Sequence, residues 1–206
     1  MITLYHDRLS APGRAARLVC AEYGVEVEAI EERLWERREG FVTLNPALTL
    51  PVIEADGVTV AGIHPVIEYL DETRVAGFLV KMDDEVTRHV VRERVEKLAM
   101  PAELGGGAPN SQALRLARAN VRHHMAYLEW LSGSRAWLAG DAITYADIAA
   151  AATLSTLDYL GEVDWSASPY AKDWYGRMKS RPSFRPLLKD RVKGQSPVAH
   201  YADLDF

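Results

Sequence analysis

A single cysteine, Cys20, occurs among the 206 residues, so no intrachain disulfide can form. No apolar stretch approaches the ~18 residues that a membrane-spanning helix requires; even the weakly polar run from Ile148 to Leu160 contains Thr, Ser and Asp. The opening MITLYHDRLS has no basic start followed by an apolar core, so no secretory signal is expected. Positive charge is also short: 24 basic side chains face 29 acidic ones, a net charge of −5. Phosphate-rich partners need a surplus of the other sign, which argues against nucleic acid. His123 and His124 are adjacent and point to different helix faces, whereas metal ligands on a helix want a spacing of three or four. No metal site and no glycine-rich phosphate loop can be assembled. A soluble cytoplasmic protein without a resident cofactor is expected.

What is present divides into two halves. Ile2 to Tyr5 is a short β-rich run. From Ala11 to Tyr23 the apolar positions Ala15, Leu18 and Val19 recur at helical spacing, with Gly24 placed as a C-cap. Val25 to Ile30 alternates with glutamates, as a half-wet strand does. Residues 51–54 and 58–60 flank Ala55-Asp56-Gly57, a turn tolerant of positive φ. His64-Pro65 opens a helix through Leu70. The order β-α-β-(short α)-β-β-α is thioredoxin-like. Strand signals stop after Asp71. Long amphipathic helices are expected over Asp83–Met100, Ser111–Ser132, Thr144–Leu160 and Pro169–Lys179. An α/β half followed by an all-α half implies two packed domains, 1–76 and 83–206, with Gly77 near the linker.

Three segments together resemble the glutathione transferases. The first runs from Leu4 to Ala15: strand, loop, Ser10, then Pro12 and Arg14 entering helix one. In the second, Asn45-Pro46 leads to Leu50-Pro51-Val52, where the family carries a cis proline. The third is Gly140-Asp141-Ala142-Ile143-Thr144-Tyr145-Ala146-Asp147-Ile148. It has a physical reading of its own, a capping box in which Thr144 and Asp147 exchange bonds, with Ile143 and Ile148 as a hydrophobic staple. The resemblance implies a thioredoxin-like domain followed by a helical domain, and a homodimer.

For the site, the resemblance implies that Ser10 stabilises a glutathione thiolate and that the backbone at Leu50-Pro51 pairs with the cysteinyl unit. A serine at this position also simply begins a helix well, so both readings stand. Tyr5 reads as packed, and Cys20 as a buried, inert thiol. The family places an acid and a serine before its third helix to hold the glutamyl head of glutathione. The matching positions here are Gly62 and Ile63. Charge-assisted bonds are worth roughly 1.5–3 kcal/mol each, so losing two weakens such a ligand by a few hundredfold.

Other features suit a protein partner. Arg115, Arg118 and Arg122 share one helix face, opposite Leu114, Ala117, Val121, Met125 and Leu128. Trp35 stands among charges in residues 33–38, a composition found both at interfaces and in glutathione pockets. The chain ends in His200-Tyr201-Ala202-Asp203-Leu204-Asp205-Phe206, alternately acidic and apolar. Such an end either docks on a partner, through Asp203, Asp205 and Phe206, or folds back over its own helices. Within the superfamily this combination is similar to the FzlA family, FtsZ-localised division proteins of alphaproteobacteria that dimerise and bind FtsZ filaments. The alternative is a theta-like transferase that conjugates glutathione to small electrophiles through Ser10.

Overall fold

Strand β1 (Ile2–His6) lies at the centre of a four-stranded sheet, in which β-rich sequence and burial coincide. The structure, a computed structural model, describes residues 2–55, 57–63, 66, 82, 86–139 and 141–204. Helix α1 (Ala11–Glu22) crosses from β1 to β2 (Val27–Glu31), which pairs parallel to it. A 3-10 turn (Leu34–Glu36) and the short α2 (Glu39–Leu44) lead to β3 (Val52–Ala55) and β4 (Val58–Ala61), both antiparallel additions. The sheet order is β2-β1-β3-β4, as the thioredoxin-like reading requires. The helix expected from His64 to Leu70, the linker near Gly77, the boundary at 76–83 and the helix start at Asp83 all fall, except for Val66 and Met82, outside the described residues.

The helical half begins with α3, built from Arg88–Val91, a wider π-helical stretch at Arg92–Glu96, and Lys97–Ala99. Asn110 caps α4 (Ser111–Ser134), its side chain accepting the N–H groups of Gln112 and Ala113 at 2.9 and 3.1 Å. Helices α5 (Tyr145–Tyr159), α6 (Pro169–Lys179) and α7 (Arg185–Leu188) follow. Among the described residues, no helix is long and apolar enough to cross a membrane.

Every residue of α5 is buried. Its consecutive alanines 149–152 let neighbouring helices approach closely, and α1 packs along it. The start of α5 is fixed as its sequence suggests. Thr144 Oγ1 accepts the Ala146 N–H at 3.2 Å, while the Asp147 carboxylate accepts the Thr144 N–H at 3.0 Å. Asp147 does more than cap: its other oxygen accepts the Leu138 N–H and the Trp174 indole N–H, both at 2.9 Å. One fully buried carboxylate thus joins the loop before α5 to the core of α6.

Polar bonds also cross the seam between the two halves. Arg14 is fully buried and donates to the Arg8 carbonyl, Ser155 and Tyr201, each at 2.8 Å. Thr156 Oγ1 donates to the Leu9 carbonyl at 2.8 Å, and Arg17 grips Asp190 at 2.7 and 3.1 Å. Burying charge is costly unless it is paired and bonded, and here most of it is.

The tail folds back. Tyr201 is fully buried against Tyr159, and its hydroxyl donates to the Leu187 carbonyl at 3.1 Å. Lys179 Nζ donates to the Asp203 carbonyl at 2.6 Å. Of the two expected behaviours of this end, folding back holds as far as Tyr201: large apolar groups gain by covering their own core rather than standing in water. Asp203 and Leu204 remain exposed, while Asp205 and Phe206 lie outside the described residues.

Candidate functional site

The N-terminus of α1 opens onto a cavity of about 550 Å³ between the α/β half and α3. Ser10 caps α1, its Oγ accepting the Gly13 N–H at 3.3 Å. Both the expected helix-starting role and a place on the cavity wall are therefore met by one side chain. Gly13 has no alternative here, because a Cβ at that position would stand 2.8 Å from the Asp7 carbonyl oxygen.

Asp7 is the residue that the sequence reading missed. Its Oδ1 accepts the N–H groups of Leu9 and Ser10 at 2.8 and 3.0 Å, and it lines the cavity beside Ser10. Burial pushes its carboxyl above the ordinary range, against the pull of those two amides. Across the cavity, Glu96 is also pushed up, by burial first and then by the charge of Asp7. The two acids are 89 positions apart in sequence, so no local pattern could have paired them. From α3, residues 88, 92, 96 and 100 line the same wall at intervals of four, bringing Arg88 and Arg92 to the cavity with Glu96. Lys97 also lines it and is bound to Glu93 at 2.7 Å.

The opposite wall is apolar. Leu34 and Trp35 come from the 3-10 turn, and Leu48 and Leu50 from the loop before β3. Trp35, whose surroundings in sequence suited either an interface or a pocket, is part of the cavity wall. The Leu50–Pro51 peptide is cis. Leu48 has φ +50, a conformation that bulky residues rarely adopt.

Gly62 and Ile63 do not line the cavity. Gly62 has φ +91, where glycine is at ease, and its N–H donates to the Pro51 carbonyl at 2.8 Å. Ile63 packs against both hydrophobic clusters, the one between the two halves and the smaller one under the sheet. The two positions offer neither a carboxylate nor a hydroxyl to a ligand. What they do instead is structural.

The arginine stripe divides. Arg118 holds Glu162 with two bonds, 2.6 and 3.0 Å, and Arg94 holds the same carboxylate at 2.7 Å. Arg118 thus pairs within the chain while its side chain stays half-exposed. Arg115 and Arg122 are exposed. Cys20 is buried, and burial raises its thiol to about 11. Among the described residues, no group of three or more His, Cys, Asp or Glu side chains could hold a metal ion.

Comparison with known proteins accounts for nearly the whole chain. Residues 10–73 match the family model for the glutathione S-transferase N-terminal domain, and residues 84–182 that for the C-terminal domain. FtsZ-localized protein A of Caulobacter vibrioides is 36% identical, over 99% of this chain and 98% of that protein. A crystal structure of a glutathione S-transferase from Sinorhizobium meliloti is 51% identical over the full length of both chains, with a TM-score of 0.95. The structure of FzlA from C. crescentus has a TM-score of 0.89 at 36% identity, covering 100% of this chain and 99% of that one.

Proposed function

The chain belongs to the glutathione S-transferase family, and on that premise we propose that it is a cytoplasmic homodimer that binds FtsZ filaments in cell division. The observation that carries this reading is end-to-end similarity to FtsZ-localized protein A, 36% over 99% of the chain. The site's physics supports it. At the two positions where the family's acid and serine would hold glutathione's glutamyl head, this chain has Gly62, whose N–H is bonded to the Pro51 carbonyl, and Ile63, which packs against the core. A thiolate beside Ser10 would also meet the acids Asp7 and Glu96. Asp7 already takes the Ser10 amide, Ser10 takes the Gly13 amide, and Pro12 has none to give.

Partner contacts in this reading come from the exposed Arg115, Arg122 and Asp203, and from Asp205 and Phe206. Cosedimentation with FtsZ polymers tests it. The chain should pellet with polymer and stay in solution with unpolymerised FtsZ. Removal of residues 202–206 should reduce pelleting several-fold, since that deletion spares buried Tyr201. Equal pelleting by the shortened chain removes the tail from the interface; no pelleting by the intact chain removes the filament. Light scattering checks the dimer.

A second reading is kept because Ser10 lines the cavity. A theta-like transferase would use the Ser10 hydroxyl to stabilise the glutathione thiolate, which then attacks a small electrophile. Conjugation of a generic aryl halide that disappears in Ser10→Ala would establish it and displace the first reading.

A further inference from the structure

On the outer face of the helical half, three large rings stand in water without a known role. Tyr127 and Trp130 on α4 are 43% and 61% exposed, and Tyr170 on α6 is 58% exposed. They do not hang loosely. Tyr127 and Trp130 stack with ring centres 5.9 Å apart. Gly133 leaves room for Tyr170, since a Cβ there would lie 3.0 Å from that ring. Rings already held in place lose little entropy when a partner covers them.

Arginines frame these rings. The Arg135 guanidinium lies 5.9 Å over Trp130, and Arg177 lies 5.5 Å over Trp137 while donating to the Ala136 carbonyl at 2.7 Å. Arg122 stands two turns before Trp130 on the same row of residues spaced by four. Among the described residues, none of these three arginines has a carboxylate partner. The acids nearby are fewer. Glu129 is spent on the N-terminus of α6, accepting the Tyr170 and Ala171 amides at 3.2 and 2.9 Å. Asp173 stands one turn beyond Tyr170.

We propose that the patch formed by Tyr127, Trp130 and Tyr170, with Arg122, Arg135 and Arg177 around it, is a docking surface for an extended acidic protein segment carrying apolar anchors. Tryptophan, tyrosine and arginine are the residues that dominate interface energies, and a preformed apolar centre with a charged rim is how such sites are built. The rim charge selects the occupant. In a chain of net charge −5, this face has a local excess of cations. A second copy docking by the same face would bring like arginines together, which a two-fold interface penalises. Single-stranded nucleic acid also stacks on aromatics, but it needs a continuous cationic track, and Asp173 and Glu129 interrupt this one.

The test uses the full chain and a fluorescein-labelled peptide of ten residues alternating aspartate with leucine or phenylalanine, read by anisotropy at low salt. Saturable binding is expected. Trp130→Ala and Tyr170→Ala should each weaken it about tenfold or more, and Arg135→Glu by a similar factor. These side chains are exposed, so circular dichroism should report unchanged folding. Val58→Ala, which removes an equally exposed apolar group on β4, should bind as the parent does. The proposal is overturned if no saturation occurs up to about 1 mM, a range that corresponds to negligible affinity. It is equally overturned if Trp130→Ala binds unchanged, or if a lysine-for-aspartate peptide or an oligothymidylate binds more tightly.

Discussion

Helix α1 meets two very different environments along its length. Its body, through Arg14, Arg17 and Leu18, lies in the seam against α5 and the returning tail, where Arg14 and Arg17 donate to Ser155, Tyr201 and Asp190. Its N-terminal end, at Ser10, looks into a cavity in which two acids are held above their ordinary range and arginines face solvent. In the seam, polar groups serve the fold and are used up. At the cavity, Asp7 and Ser10 hold nearby backbone amides, while Glu96 and Arg92 line the open space. The contrast teaches that the bonds joining the two halves are made by residues other than those lining the cavity, so the cavity wall can vary without loosening the seam.

The strongest challenge to this contrast is Asp147→Ala. It leaves the Leu138, Thr144 and Trp174 donors unpaired in a dry interior, and about 4 kcal/mol of unfolding free energy should be lost. Urea denaturation measures it. A loss no greater than that of an ordinary helix cap would mean that the seam is less tightly coupled than its geometry implies.

Acid comes next. Burial, aided by the nearby Arg17 guanidinium, holds the His6 imidazole down at about 4, against 6.5 when unfolded. Between those values the unfolded chain binds the proton and the folded chain does not. Stability is therefore intact above pH 6.5 and falls as pH drops toward 4, by about 3 kcal/mol from this group. Asp7 and Glu96, with raised carboxyls, act in the opposite sense, so the measurement is a difference. His6→Asn should lack that part of the acid slope when urea midpoints are followed from pH 7 to 4.

At the cavity end the expected effects shrink. Ser10→Ala removes one helix cap and should cost about 1 kcal/mol, while filament pelleting stays at the parent's level. A several-fold loss of pelleting in that variant would tie the cavity to the partner surface. Smallest is Arg118→Ala, at roughly 0.5 kcal/mol in thermal unfolding. Its side chain is half-exposed, and Glu162 retains Arg94.

Much of the fold was legible before any coordinates. Periodicity located α6 to the residue and α4 to within two, because both carry a strong apolar stripe bounded by a cap or proline. The box at Thr144 and Asp147 was legible because capping is decided within four residues. The cavity was legible only in part. Of the expected site positions Ser10 and Leu50 line it and Pro51, Gly62 and Ile63 do not, while the acids facing it come from β1's exit loop and from α3, and no short-range pattern links them. Trp35 and Arg118 illustrate the same limit. A local window reports that a tryptophan or an arginine is present, not which neighbour it will meet.

By itself the sequence determined the order of the four strands, the helices at 11–22, 111–134, 145–159 and 169–179, and the capping box at Thr144 and Asp147. All of these depend on residue type and near neighbours. Only the tertiary structure decided that Tyr201 lies buried beside Arg14, that Glu162 takes up Arg118, and that three rings on the helical half stay in the open. Those outcomes are set by which surfaces meet when distant segments compete to leave water, and that competition runs over the whole chain.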